Sequence, residues 1–247
     1  MSLVSSIKSI IYDFALIVES PRRSHHYLRG VSLGLLRKLD VKWIQDIGLA
    51  TILDIGANVG QFALAANAAF PQARIYSFEP IPHCFSELQR CLEHVNNFQG
   101  FNVGLGEKSE KIIFCQNNFS PSSSFLKMTS LHKEAFPHTL GTKNIEVSVE
   151  CLDDFATKLE IQLPLMIKLD VQGYESQVLN GGYETFKKAA IIIIETSFVT
   201  LYEGQDLFDD IYKRLLGMGF SYFGAIAYIH DPVSGFPLQG DSIFIRQ

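Results

Sequence analysis

The stretch Thr51-Ile-Leu-Asp-Ile-Gly-Ala-Asn-Val-Gly60-Gln-Phe-Ala reads as a buried strand, a tight glycine turn and a helix. A short apolar strand feeding a helix belongs in a parallel sheet covered by helices on both faces. Gly56 can take backbone angles closed to other residues and admits a ligand close to the main chain. Gly60 is placed to bring the helix near the strand, and Asn58 sits between the two glycines. The spacing is GxxxG, whereas a dinucleotide fingerprint is GxGxxG and seats a pyrophosphate on the helix N-terminus. Asp54, just ahead of the turn, would repel a diphosphate and suits a positively charged amino group. That combination turns the reading from a nicotinamide dinucleotide toward S-adenosylmethionine.

The alternation continues down the chain. Strands are expected at 51–55, 74–78, 98–105, 166–169 and 191–196, and helices at 60–69, 83–95, 152–159, 173–179 and 182–188. Residues 111–116 and 145–151 read as added strands flanking a long loop, and 220–229 with 242–246 as a closing hairpin around Asp231-Pro-Val-Ser-Gly-Phe-Pro. The expected architecture is α/β, an open, mostly parallel sheet whose ligands lie beyond the carboxyl ends of the strands. Two such ends carry polar groups at once. Glu79 closes the second strand and is positioned to accept hydrogen bonds from vicinal ribose hydroxyls. Asn102, Gly104 and Leu105 close the third, where main-chain groups would meet an adenine edge.

The chain has 247 residues, enough for one large domain, 51–247, preceded by a helical extension, 1–50. Hydrophobic residues make up 47%, so a core can form without disulfides or metals. The net charge of −5 and the lack of a basic block argue against a nucleic-acid partner. The four cysteines form no CxxC pair and are expected as small buried thiols in a reducing cytoplasm, with Cys84 and Cys91 on one side of a helix. Residues 7–18 are apolar but short and carry Lys8 and Asp13, which argues against a signal peptide or a transmembrane segment. Ile7, Ile10, Ile11, Phe14 and Val18 instead suit an amphipathic helix that packs on the domain, touches a membrane surface or joins a homodimer.

In order along the chain, DIGANVGQFA, Phe78-Glu-Pro80, NVGLG at 102–106, Ser122-Ser-Ser-Phe-Leu126, Val149-Glu-Cys-Leu-Asp-Asp-Phe155, Ile167-Lys-Leu-Asp-Val-Gln-Gly-Tyr-Glu175 and Val178-Leu-Asn-Gly181 resemble the FkbM-type methyltransferases. Leu201-Tyr-Glu-Gly-Gln205 and Asp241-Ser-Ile-Phe-Ile245 fit the same pattern. The resemblance runs from about residue 50 to the end. It implies a class I, Rossmann-like methyltransferase fold of seven strands, S-adenosyl-L-methionine as donor, and a hydroxyl of a sugar, glycan or secondary metabolite as acceptor. Residues 1–50 lie outside it.

Methyl transfer needs alignment of acceptor and methyl carbon, and removal of a proton when the acceptor is a hydroxyl. Asp170, at the end of the fourth parallel strand, is the candidate to orient or deprotonate the acceptor while also touching the donor. Lys168 lies two residues earlier on the same face and can pair with it, and Glu175 opens the next helix. The alternative is a buried Lys–Asp–Glu network that only fixes the turn. Glu195, at the equivalent end of the next strand, could with Asp170 offer two carboxylates to Mg²⁺, or the pair could bind substrate hydroxyls. The histidines, His25, His26, His132, His138 and His230 among them, are expected mostly at the surface. The loop at Ser122 is a candidate lid, and Tyr202-Glu-Gly204 a further contact. Two other functions compete: a nicotinamide-dependent oxidoreductase, and a catalytically silent cofactor-binding scaffold.

Overall fold

The computed structural model describes residues 27, 30–117, 124–136 and 142–247. The amphipathic segment 7–18, His25, His26, His138 and the start of the candidate lid lie outside the described residues, and with them the dimer contact expected of the N-terminal helices.

The chain enters through α1 (Leu33–Leu39), capped by Ser32, whose side chain accepts a hydrogen bond from the Leu35 amide. Leu33, Leu36 and Leu39 fall at i, i+3 and i+6, so one face of the helix is apolar and fully buried. With Ile44 of α2 (Lys42–Gln45) they join Ile52, Ala63, Ala66 and Ile75 in one core cluster. Each such side chain contributes about 1.5–3 kcal/mol by leaving water.

Then come β1 (Thr51–Ile55), α3 (Gln61–Ala69), β2 (Arg74–Phe78), α4 (Pro82–Cys91) and β3 (Phe98–Phe101). They are followed by β4 (Gly104–Gly106), β5 (Glu110–Asn117), α5 (Ser130–Ala135), β6 (Thr142–Cys151) and α6 (Leu152–Ala156). The last third holds β7 (Leu165–Leu169), α7 (Glu175–Gly181), α8 (Tyr183–Phe186), β8 (Ala189–Ser197), α9 (Phe208–Gly217), β9 (Phe220–His230) and β10 (Pro237–Arg246). The main sheet has seven strands in the order β3-β2-β1-β7-β8-β10-β9, all parallel except β10, which runs antiparallel to both neighbours. Its centre is buried on both faces. Every residue of β1 is buried, as are Ile191–Ile194 of β8, the apolar run expected of a strand covered by helices on both sides.

Three expectations are corrected. The strand read as 98–105 is two strands: β3 joins the main sheet, and β4 pairs with β6 in a second, three-stranded sheet, β4-β6-β5. The break falls at Asn102, whose side-chain amide donates to the carbonyls of Glu79 and Pro80 instead of continuing a ladder. Second, α9 was not foreseen, although Phe208, Ile211, Tyr212 and Leu215 fall at helical spacing. Third, the loop between β5 and β6 contains α5, capped by the Thr129 side chain.

The two sheets are joined by a contact that only glycine allows. A Cβ on Gly181 of α7 would stand 1.9 Å from the carbonyl oxygen of Gly106 in β4. Gly181→Ala is therefore expected to pry α7 from the small sheet and cost about 1–3 kcal/mol in urea unfolding. An unchanged midpoint would contradict the packing described. No helix of the described residues is long and apolar enough to cross a membrane.

Candidate active site

The carboxyl ends of β1, β2, β7 and β8, with β10 beside them, open into one cavity of about 610 Å³. On its floor stands Lys168 of β7. Its ammonium donates to the Gly56 carbonyl at 3.1 Å, lies 3.3 Å from Asp170 Oδ2 and 3.7 Å from Asp54 Oδ1, and rests over the Phe62 ring. Burial alone would lower its pKa, but Asp170, Asp54 and Asp241 outweigh that and hold it above the ordinary lysine value. The pairing expected between Lys168 and Asp170 is thus present, with a third partner in Asp54.

Asp54 itself is fully buried and lies beneath the cavity lining. Its other oxygen accepts from Ser77 Oγ at 3.2 Å, and burial raises its pKa against the pull of Lys168. Gly56 has φ +80°, and its bare Cα faces the Asp170 carbonyl, 1.8 Å from where a Cβ would sit. Gly56 lines the cavity, and on the side where a Cβ would stand it is closed by the β7–α7 turn. Gly60, at φ +90°, is likewise pressed on another element than expected: a Cβ would meet Leu88 and Leu92 of the α4 side, not the strand.

Glu79 lies at the cavity wall, 4% exposed. One oxygen accepts the Asn58 amide and the other the Ile81 amide, both at 2.8 Å. Burial pushes its pKa up to about 7, opposed by those two amides. Asn58, at φ +49°, Gly104 and Leu105 also line the cavity, whereas Asn102 stays behind, fixing the end of β2.

Between β7 and α7 the chain turns through Gln172, a non-glycine residue at φ +56°. Its side-chain nitrogen donates to Asp170 Oδ1 at 2.8 Å and to Glu195 Oε2 at 2.7 Å, while its oxygen accepts the Tyr202 hydroxyl at 2.8 Å. Ser124 Oγ donates to its carbonyl at 2.6 Å. Three side-chain partners and one on the backbone hold a conformation that costs of order 1–3 kcal/mol. Glu175 is 6% exposed and faces the turn, not the cavity: Oε1 accepts the amides of Val171 and Gly173 at 3.1 and 3.2 Å. Burial raises its pKa to about 7. Glu195 also accepts from Gln239 Nε2 at 2.9 Å. Burial, then the nearby Asp170, Glu175 and Asp241 charges, push its pKa well above the carboxylate range.

Gln172, Gln239 and the cavity-facing side chain of Asp241 were not singled out from the sequence as site groups. Two of them sit inside quoted motifs, but an uncharged amide gives no sign of what it bridges. His132 corrects the expectation of surface histidines: it is 2% exposed, lines the cavity and packs on Tyr202 and Phe136. His230 and His94 are exposed, as expected. Of the three cysteines whose burial is described, Cys84 is a buried thiol; Cys91, at the last turn of α4, is exposed, and Cys151 is half-buried with its thiol donating to the Gly181 carbonyl. The residues do not fit Mg²⁺. The Gln172 side chain sets N–H donors between the two carboxylates that would hold it, and no group of three or more His, Cys, Asp or Glu suited to a metal occurs among the described residues.

A seven-stranded sheet of this order, with a cavity over the ends of its central strands, is the class I, Rossmann-like methyltransferase fold. The same fold occurs in a methyltransferase FkbM from Methylobacillus flagellatus, with a TM-score of 0.52 and 13% identity over 84% of this chain and 47% of that longer one. The chain belongs to the FkbM methyltransferase family: the methyltransferase FkbM domain model matches residues 54–222. It is 28% identical to the 2-O-methyltransferase NoeI of Sinorhizobium fredii, over 82% of each chain. It is also 26% identical to the hexuronic acid methyltransferase AglP of Haloferax volcanii, over 58% of this chain and 54% of that one.

Proposed function

We propose that the chain transfers the methyl group of S-adenosylmethionine to a hydroxyl oxygen of a sugar, glycan or secondary metabolite. The observation that carries the donor is the acidic lining of the cavity. Among the described residues Glu79, Asp170, Glu195 and Asp241 line it against one lysine, and that lysine is already held by carboxylates. A sulfonium and an ammonium arriving there favour the ionised form of these acids and are held by it, whereas a diphosphate would be repelled, which disfavours a nicotinamide dinucleotide. Glu79, aimed by two backbone amides, keeps lone pairs for the ribose hydroxyls, with Asn58 beside it and Gly104 and Leu105 at the adenine edge.

When bound, S-adenosylmethionine supplies an already activated methyl carbon. The chain's own work is to align the acceptor and receive its proton. Asp170 stands where β7 meets the cavity and is the group assigned to orient or deprotonate the acceptor hydroxyl. Lys168 and Gln172 fix its two oxygens, and Glu175 fixes the turn that carries it. Oxygen as the methylated atom is supported by the relative whose name specifies 2-O-methylation, and a sugar-type acceptor by the one named for hexuronic acid.

Calorimetry tests the donor directly. S-adenosylhomocysteine is expected to bind and NADH to give no heat, and Glu79→Ala to weaken the former about 100-fold, as two charge-assisted hydrogen bonds are lost. Binding of NADH without S-adenosylhomocysteine would overturn the reading.

A further inference from the structure

The sheet divides the cavity into two halves of different chemistry. Over β1, β2 and β4 lie the glycine loop, Glu79, Ile81 and Leu105, the half assigned above to the donor. Over β8 and β10 the floor carries Glu195, Gln239 and Asp241, with Asp170 at the seam. The wall above this second floor is apolar. From α1 and β9 only Leu35, Ile226 and Ile229 reach the cavity, and β8 adds Ile193. Leu35, Phe62, Ile193 and Ile226 belong to one hydrophobic cluster, so the wall is continuous. The strip then runs out of the cavity onto the β9–β10 hairpin. There Ile229 is 42% exposed, Phe236 55% and Val233 94%.

A free sugar suits this half poorly. Its hydroxyls surround the ring, and the side chains that line the cavity from α1 and β9 offer them no hydrogen-bonding partner, the Lys38 ammonium of α1 lying near enough to act on Asp241 without lining the cavity. A single polar end is well served, because Glu195, Gln239 and Asp241 line this half from β8 and β10. A run of exposed large apolar side chains leading out of a cavity is the mark of a surface that receives an apolar body.

We propose that the acceptor is amphiphilic. Its hydroxyl-bearing head sits on Asp170, Glu195 and Asp241, and its alkyl, acyl or aryl body follows Leu35, Ile226 and Ile229 toward Val233 and Phe236. This rests on the donor reading above, since that reading assigns the other half of the cavity.

The test uses n-alkyl β-D-glucopyranosides from methyl to octyl, each below its micellar concentration. They are titrated into the full chain saturated with S-adenosylhomocysteine. Each added methylene is expected to tighten binding about two- to fourfold, the effect of burying a CH₂. Ile229→Asp, a substitution at a partly exposed position, is expected to flatten that dependence, and a titration of the same variant with S-adenosylhomocysteine reports that it is folded. If S-adenosylhomocysteine binds but glucoside affinity is independent of chain length, or no glucoside binds, the amphiphilic acceptor is overturned and the donor reading stands. A slope that survives Ile229→Asp places the alkyl chain elsewhere and overturns it equally. If S-adenosylhomocysteine itself fails to bind, the donor reading falls and takes this inference with it.

Discussion

Gly56→Ala is expected to destabilise the chain by more than about 3 kcal/mol and to abolish binding of S-adenosylhomocysteine. Two costs add. At φ +80° a side chain is strained by about 1–2 kcal/mol whatever the space around it. The new methyl would also sit 1.8 Å from the Asp170 carbonyl oxygen, far inside van der Waals contact, and the neighbouring backbone has little room to give. The Asp170 amide donates to the Ile55 carbonyl at 3.1 Å, and the amides of Gly56 and Ala57 both donate to Phe78 at 3.0 Å. Moving either turn therefore displaces Asp170, Lys168 and the end of β2 together. Urea unfolding and calorimetry check both parts. A variant that loses less than about 1 kcal/mol, or that still binds the ligand tightly, would show that the two turns are not locked as described.

The second large effect is on pH. Glu79 and Glu175 are buried, and each has its pKa raised to about 7 in the folded chain. In the unfolded chain both return to the ordinary carboxylate value near 4.3. Below that value both states hold the proton, and the stability is fully present. Between about pH 4.5 and 7 the unfolded state releases protons that the folded state retains, so stability falls as pH rises. The loss approaches roughly 3 kcal/mol for each group by pH 7 to 8. Glu175→Gln keeps a carbonyl oxygen for the Val171 and Gly173 amides but cannot ionise. It is expected to remove the part of that decline that Glu175 carries and to be more stable than the wild type at pH 8. Urea midpoints at pH 5 and pH 8 decide the matter, and a wild-type stability that rises over this range would contradict it.

What the sequence revealed follows from where the information is stored. β1, β2 and the buried run of β8 were legible because burial on both faces writes itself as an unbroken apolar string. Glu79 and Asp170 were legible because a carboxylate at a strand end is conspicuous. Gln172 and Gln239 were not, since their importance lies in bridges to Asp170, Glu195 and Tyr202, groups up to 44 residues away in the chain. His132 was missed for a related reason. It sits on α5, a helix of one and a half turns, too short to leave a periodic trace. The division of 98–105 into β3 and β4 depends on the Asn102 side chain choosing carbonyls of a different strand, a competition that local pattern does not display. The glycines mark points of close approach, and at Gly56 the group that faces the missing side chain is the protein's own backbone.

The antiparallel placement of β10 has a consequence for how the molecule is assembled. Because Pro237–Arg246 slots between β8 and β9, those two strands, adjacent in sequence, never pair with each other. Until that segment is available, both carry an open edge, and the gap between them is one strand wide. Gln239 and Asp241 arrive on the same segment, so the floor beside Glu195 is completed in the same event that closes the sheet. Formation of the acceptor half is thereby tied to the contacts of longest sequence separation from the donor loop, which are the slowest kind to form. A nascent chain would display its glycine loop well before it could position an acceptor.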